Sequence, residues 1–151
     1  MDQRYETLSV EDKGEGLVLL ILNRPQVANA MNTQMGRDLL DFFDAVNAEP
    51  LNYRCIVMTG AGDKAFCAGG DLKERLGMSD EEWQAQHLLF ERAVRAFIGC
   101  PVPVIGANLA LRSCTSVVSR PPPGSNSPVA ASKPPAVSCA ATTPSIAALP
   151  A

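Results

Sequence analysis

Short apolar runs alternate along the chain with longer segments in which apolar residues recur every three or four positions. Three runs are mostly apolar: GLVLLILN at residues 16–23, RCIVMTG at 54–60 and PVPVIGA at 101–107. Such runs are typical of strands that are buried on both faces. Pro101 and Pro103 lie at the start of the third run, where a strand tolerates proline.

The first periodic segment predicts a helix that begins at Asn32 or Thr33 and ends before Pro50. Its apolar residues are spaced to lie on one helix face, which consists of Met35, Leu39, Phe42, Phe43 and Val46.

A second helix is predicted after Ser79, which has capping-box spacing to Glu82 and is expected to be the N-cap. Steps of four and three residues predict its buried face, which consists of Trp83, His87, Phe90, Val94 and Phe97.

The predicted order is strand, helix, strand, helix, strand, which implies parallel strands joined by right-handed crossovers. Residues up to about 107 are therefore expected to form an α/β fold. A doubly wound nucleotide-binding fragment requires a GxGxxG loop after the first strand. That strand is followed by LNRPQVANA, so the sequence excludes this class of site.

The segment KAFCAGGDLKER, residues 64–75, places two adjacent glycines between a strand end and a charged helical run. Adjacent glycines cost backbone entropy, so a bare backbone is expected to serve a purpose here. A ligand that approaches the backbone closely, or a backbone N–H directed at a ligand, would be such a purpose. An ordinary turn is the alternative interpretation.

Other candidate groups give weaker signals. His87 is the only histidine, and its place on the apolar helix face favours a core or edge role over catalysis. Cys67 lies beside the glycines, but no sequence signal identifies a base that would activate it. The acidic residues 80–82 fit the first turn of a helix, where they complement the dipole.

Composition changes sharply along the chain. All 16 acidic residues lie at or before Glu91, whereas eight of the 12 prolines lie after residue 108. We therefore expect a globular domain at residues 1–107 and a disordered Pro/Ala/Ser-rich tail at residues 108–151.

Charge and cysteine content suggest a cytoplasmic protein. The five cysteines show no close paired spacing, and the N-terminal residues are charged and lack the apolar core of a signal peptide. Reduced thiols are therefore expected. No stretch is apolar enough to cross a bilayer, and the mild acidity argues against nucleic acid as the main partner.

Three motifs together resemble the enoyl-CoA hydratase/isomerase (crotonase) superfamily: LNRPQVANAMN, RCIVMTGAGDKAFCAGGDLKER and PVPVIGA. The resemblance covers approximately residues 5–107, and the DLKERLGM sequence gives a weak hint of methylglutaconyl-CoA hydratases. It implies the N-terminal half of a ββα spiral fold, a homo-trimer or hexamer, and an acyl-CoA substrate. Coenzyme A is then part of the substrate, and neither a metal nor a separate cofactor is expected.

By this resemblance, the backbone N–H of Gly70 is one donor of an oxyanion hole that holds the thioester oxygen. Asp71 is expected to cap or orient the following turn. Lys73 or Arg24 is expected either to pair with CoA phosphates or to be a solvated surface charge. The residues expected to contact the substrate are Ala68, Gly69, Gly70, Asp71, Leu72 and Lys73 of the main chain, with Val27, Ala28 and Ala30 as the pocket wall.

The chain departs from the family pattern after PVIGA. The glycine triplet that precedes the second oxyanion donor is missing, and no Asp or Glu follows Glu91 to supply the acid/base carboxylates. The resemblance therefore implies a catalytically impaired chain. A non-catalytic CoA-thioester-binding or interaction fragment is the alternative.

Two interpretations of the tail remain. It is either a genuine low-complexity extension or the out-of-frame translation of a gene whose correct frame encodes the rest of the enzyme. The composition changes inside a family motif, between GAN and LAL, which favours the second interpretation.

Overall fold

A computed structural model describes residues 5–108 and 113–115. It has a mixed α/β fold with one five-stranded sheet. The elements in chain order are β1 (Leu8–Asp12), β2 (Leu17–Leu22), α1 (Thr33–Ala48), β3 (Cys55–Gly60), α2 (Leu72–Arg75), α3 (Asp80–Ile98), β4 (Val104–Asn108) and β5 (Ser113–Thr115). Within the described ranges, no helix is long and apolar enough to cross a membrane.

The strands lie in the sheet in the order β1-β2-β3-β4-β5. β2, β3 and β4 are parallel, which confirms the three predicted strands and their crossover connections. β1 and β5 extend the sheet by antiparallel pairing at either edge. The predicted tail at residues 108–151 lies outside the described residues, apart from Asn108 and the three residues of β5.

The sequence patterns did not predict β1. Only Leu8 and Val10 alternate with polar residues in LSVED, and Glu11 and Asp12 obscured this alternation. The strand forms because the chain turns back at Gly14 and Gly16, whose φ angles of 83° and 75° suit glycine.

The first predicted helix is confirmed as α1. The side chain of Asn32 accepts a hydrogen bond from the Met35 N–H and so caps the helix. Its apolar face packs on the sheet, and the largest fully buried side chains of the domain are Phe42, Phe43, Leu20, Leu22, Met35 and Ile56.

The buried face predicted for α3 is partly wrong. Trp83, His87 and Val94 are exposed, whereas Gln86 and Ala93 are buried. Apolar residues lie on several sides of this helix, so spacing alone did not identify the packed side. That side is determined by Gly36 of α1: a Cβ at Gly36 would lie 2.6 Å from the ring of Phe90, so only glycine permits this close helix packing. The capping box of Ser79 and Glu82 is present as predicted.

Candidate functional site

Asn29 joins the two loops that build the candidate site. Its side chain is fully buried, and its Oδ1 accepts a hydrogen bond from the backbone N–H of Arg24 at 3.0 Å. Its Nδ2 donates to the carbonyl oxygens of Ala61 at 2.9 Å and Ala65 at 2.8 Å. A single asparagine thus connects the segment after β2 to the segment after β3. Both Ala28 and Asn29 have positive φ, 51° and 56°, a conformation that asparagine tolerates better than most residues.

The segment that carries the two glycines forms a short parallel pairing with the segment after β2. The Met31 N–H donates to the Gly69 oxygen at 2.7 Å, and the Asp71 N–H donates to the Met31 oxygen at 2.9 Å. In a parallel pairing of this kind, the residue between the two bonded positions has its own N–H on the opposite side. The N–H of Gly70 is therefore directed away from Met31, and no residue of the described ranges accepts a hydrogen bond from it.

The two glycines differ in what their positions require. Gly69 has a φ of 90°, and a Cβ there would meet nothing within 4 Å, so its backbone conformation favours glycine. Gly70 is constrained by a neighbour instead. A Cβ at Gly70 would lie 3.1 Å from Cζ of Arg75, so a bare backbone lets the guanidinium lie close to the peptide.

Asp71 links the glycine segment to the β2–α1 loop. Its carboxylate accepts a hydrogen bond from Arg24 Nη1 at 3.0 Å, and both side chains are largely buried. Its Oδ1 also accepts from the N–H groups of Lys73 and Glu74, so Asp71 is the N-cap of α2, as expected from the sequence. Burial raises the pKa of Asp71, but the hydrogen bonds from Arg24, Glu74 and Lys73 and the Arg24 charge lower it more, so this pKa lies below its usual value.

A buried glutamine connects the three helices behind this segment. Gln86 of α3 donates through Nε2 to Thr33 Oγ1 and to Glu74 Oε2, each at 2.8 Å. The same Glu74 oxygen accepts from the Thr33 N–H at 2.9 Å. Gln86 Oε1 accepts from Arg75 Nε at 3.2 Å. No pattern in the sequence indicated this network, because a lone glutamine on an amphipathic helix is ordinarily solvated.

An apolar cavity of about 130 Å³ lies between α1, α3 and β3. Its lining includes Met31, Met58, Phe90 and Phe97. Met31 is the residue that pairs with Gly70, and the ring of Phe90 lies 5.9 Å from Cζ of Arg75. The cavity therefore shares residues with the surroundings of the free Gly70 N–H.

The structure brings most of the predicted site residues together. Ala68 donates from its N–H to the Ala28 oxygen at 3.0 Å, which places the predicted pocket wall beside the glycine segment. Ala30 is buried, and Val27 is partly buried in the turn that precedes it. Leu72 and Lys73 are exposed on α2.

The remaining candidates are His87, Cys67 and Arg24, of which Arg24 is bonded to residues of this arrangement. His87 is exposed, stacks on Trp83 at 5.3 Å and lies 3.4 Å from Glu91, so it is a surface residue of α3. Cys67 packs against the hydrophobic core and forms no disulfide. Arg24 is engaged by Asp71 and by the Ala30 oxygen.

The sequence is similar to known enoyl-CoA hydratases and isomerases over the described domain. The family model for enoyl-CoA hydratase/isomerase matches residues 12–108. YngF of Bacillus subtilis is 40% identical over 95 residues, which is 63% of this chain and 36% of YngF. A crotonyl-CoA hydratase of Syntrophomonas wolfei is 34% identical over 103 residues, covering 68% of this chain and 39% of the hydratase.

A solved structure gives the same result for the fold. An enoyl-CoA hydratase from Bacillus anthracis superposes with a TM-score of 0.64 and 35% identity, covering 68% of this chain and 40% of that one. The chain thus spans well under half the length of each of these relatives.

Proposed function

The chain belongs to the enoyl-CoA hydratase/isomerase family, and we propose that it binds an acyl-CoA thioester with the thioester oxygen at the N–H of Gly70. The direction of this N–H is the main observation that supports the proposal. The pairing of Met31 with the glycine segment leaves the Gly70 N–H without an acceptor in the described residues and turned away from the ladder.

This N–H suits the chemistry of an acyl-CoA. Proton removal from, or addition of water to, an unsaturated thioester develops negative charge on the thioester oxygen. A fixed backbone donor stabilises that charge without a side chain of its own, and one such donor contributes about 3 kcal/mol to a transition state. The hydrogen bonds of Gly69 and Asp71 to Met31 hold the Gly70 peptide in place, so little reorganisation is needed.

We further propose that the main chain from Ala68 to Lys73 contacts the CoA portion of the ligand, with Val27, Ala28 and Ala30 as the wall of the pocket. Lys73 is the better candidate for a CoA phosphate because it is exposed. Arg24 is held by Asp71, so its role is to position the glycine segment.

Catalytic turnover of an acyl-CoA requires acid/base groups that binding does not require. No Asp or Glu follows Glu91 in the sequence, and none of the described residues places a carboxylate within hydrogen-bond distance of the Gly70 N–H. Hydration requires one group that activates water and another that handles the α-carbon proton. We propose that the 151-residue polypeptide binds an acyl-CoA and turns it over negligibly, as a CoA-thioester-binding module.

A matched pair of variants tests the binding proposal. Gly69→Ala strains a backbone with a φ of 90°, and Gly14→Ala strains one with a φ of 83° in the distant β1–β2 turn; neither side chain would meet another atom. Both variants therefore carry a similar conformational cost. Only Gly69→Ala disturbs the peptide that bears the Gly70 N–H.

Binding of butyryl-CoA is measured by calorimetric titration at a temperature where both variants are folded. We expect roughly tenfold weaker binding for Gly69→Ala, equivalent to the loss of one hydrogen bond, and unchanged binding for Gly14→Ala. Equal affinities in the two variants would contradict the assignment of Gly70. Hydration of crotonyl-CoA at a rate near that of a full-length relative would contradict the proposal that turnover is negligible.

A further inference from the structure

The sheet has a covered face and an open face. Side chains alternate between the two faces along each strand. In β2, Val18, Leu20 and Leu22 are buried and belong to the hydrophobic core that α1 completes. Leu19 and Ile21 lie on the opposite face, are only partly buried, and do not pack against that core. Within the described residues, the core thus lies on one face of the sheet.

The open face is apolar across three neighbouring strands. Leu19 of β2, Val57 of β3 and Ile105 of β4 lie side by side in register. All three are partly buried, and none packs against the core formed by the described residues. At the end of the same row, Glu11 of β1 is opposite Leu19 and forms an ion pair with Lys13. The open face therefore has an apolar centre and a charged edge, as protein–protein interfaces have.

Strands of this composition are ordinarily covered on both faces. Parallel sheets occur almost only with both faces packed, and their strands are then apolar throughout. The strand β2 has the sequence LVLLIL and contains no polar residue. A sheet face of this kind that is left to water forms an apolar patch, which marks an interaction surface. The composition of β2 thus fits a sheet that receives a second layer.

The relatives contain further polypeptide that is available to form this layer. The match covers 40% of the Bacillus anthracis hydratase and 36% of YngF, so more than half of each has no counterpart in the match. Leu19, Val57 and Ile105 all lie within residues 12–108, which match the family model. A second copy of this chain would bring only the matched part again. The unmatched part of a relative is therefore the occupant that suits the open face best.

We propose that the open face binds a separate polypeptide that corresponds to the part of an enoyl-CoA hydratase/isomerase beyond the matched segment, so that two chains complete one fold. The partner packs an apolar layer on Leu19, Val57 and Ile105. It also brings the acid/base carboxylates that hydration requires and that do not follow Glu91 in this sequence. This interface does not depend on the proposed binding of a thioester at Gly70.

Co-expression tests the association. The 151-residue protein carries an affinity tag and is produced together with the part of YngF that follows the segment matched by this chain. Size-exclusion chromatography with light scattering should show a one-to-one complex. Val57→Lys should reduce the recovered fragment at least about tenfold, because the interface would then bury an unpaired charge. Leu51→Lys is the control: Leu51 is 98% exposed between α1 and β3, so recovery should be unchanged.

A second variant keeps the test decisive if Val57→Lys does not fold. Leu17 lies on the open face at the start of β2 and is 38% exposed. Leu17→Lys should therefore leave the isolated domain folded, as urea denaturation would verify, and should still lower the recovery of the fragment.

Three results would overturn the proposal. They are the absence of the fragment from the purified protein, recovery that neither Val57→Lys nor Leu17→Lys changes, and a discrete dimer of the 151-residue protein alone that Leu17→Lys dissociates. The last result would assign the face to a second copy. Since no acyl-CoA is present in these experiments, none of the three bears on Gly70. Failure of butyryl-CoA to bind would contradict the proposed function and leave the two-chain assembly standing.

Discussion

Two regions of the domain differ in which side chains they bury and which they expose. In the loops after β2 and β3, polar groups are buried and paired: Asn29 bonds across both loops, and Asp71 bonds to Arg24. On α2, α3 and the turn between them, large apolar side chains are exposed, including Leu72 at 72%, Leu76 at 88% and Leu88 at 60%.

The described residues thus form the paired loops after β2 and β3 by themselves, but they leave the apolar side chains of α2 and α3 exposed. The peptide of Gly70 is held by the hydrogen bonds of Gly69 and Asp71 to Met31 and by the bond of Asp71 to Arg24, all of which lie within residues 24–71. Apolar patches of the kind found on α2 and α3 ordinarily mark an interaction surface or favour aggregation. The expected homo-trimer or hexamer stays a prediction.

The largest effect is expected from breaking the link between the two loops. Asn29→Asp conserves shape but replaces a donor with a carboxylate oxygen that faces the carbonyls of Ala61 and Ala65. A buried charge without a partner should lower the free energy of unfolding by about 4 kcal/mol or prevent folding. Urea denaturation measures the change. The same substitution at exposed Asn23 is the control and should cost about 0.5 kcal/mol or less.

A smaller effect, dependent on pH, is expected at Asp71. Asp71→Asn leaves Arg24 without its counter-charge and should cost about 2 kcal/mol at pH 7. Because the folded-state pKa of Asp71 is lowered from 3.8, the folded protein holds this proton less tightly than the unfolded chain. The contribution is therefore complete above about pH 3.8 and disappears as the pH falls through the folded-state pKa.

Unfolding curves of the unmodified protein and Asp71→Asn between pH 7 and pH 2 test this sign. The two stabilities should converge on acidification. A difference that is constant across this range, or that grows as the pH falls, would show that the carboxylate charge does not stabilise the loop pairing.

The smallest change in stability is expected on the exposed apolar side. Leu88→Gln should alter the free energy of unfolding by about 0.5 kcal/mol or less, because the side chain is 60% exposed. The same change at fully buried Leu20 should cost about 4 kcal/mol or more. Sedimentation velocity should show less self-association in Leu88→Gln than in the unmodified protein. A large loss of stability in Leu88→Gln would contradict the prediction, because it would mean that Leu88 is buried in the folded protein.

The sequence predicted the parts of the fold that depend on local pattern. The runs that became β2, β3 and β4, the helix α1 and the capping box of Ser79 all follow from apolar spacing and from side-chain chemistry within a few residues. The motif around Gly70 identified the family because it is specific in both composition and order.

The missed features depend on contacts between distant segments. β1 is an edge strand whose charged residues hid its alternation, and the packed side of α3 depends on the space above Gly36 of α1. The network of Gln86 with Thr33, Glu74 and Arg75 spans three helices. No window along the chain contains the partners of such a network, so only the structure shows it.

We expect the N–H of Gly70 to bind the thioester oxygen of an acyl-CoA. The most direct measurement is the amide proton resonance of Gly70 in isotope-labelled protein, followed during titration with butyryl-CoA and, separately, with free CoA. We predict a downfield shift and slower exchange of this proton with butyryl-CoA only, because free CoA has no thioester carbonyl. An unchanged Gly70 resonance while butyryl-CoA binds and shifts other amides would contradict the assignment of the Gly70 N–H as the donor to the thioester oxygen.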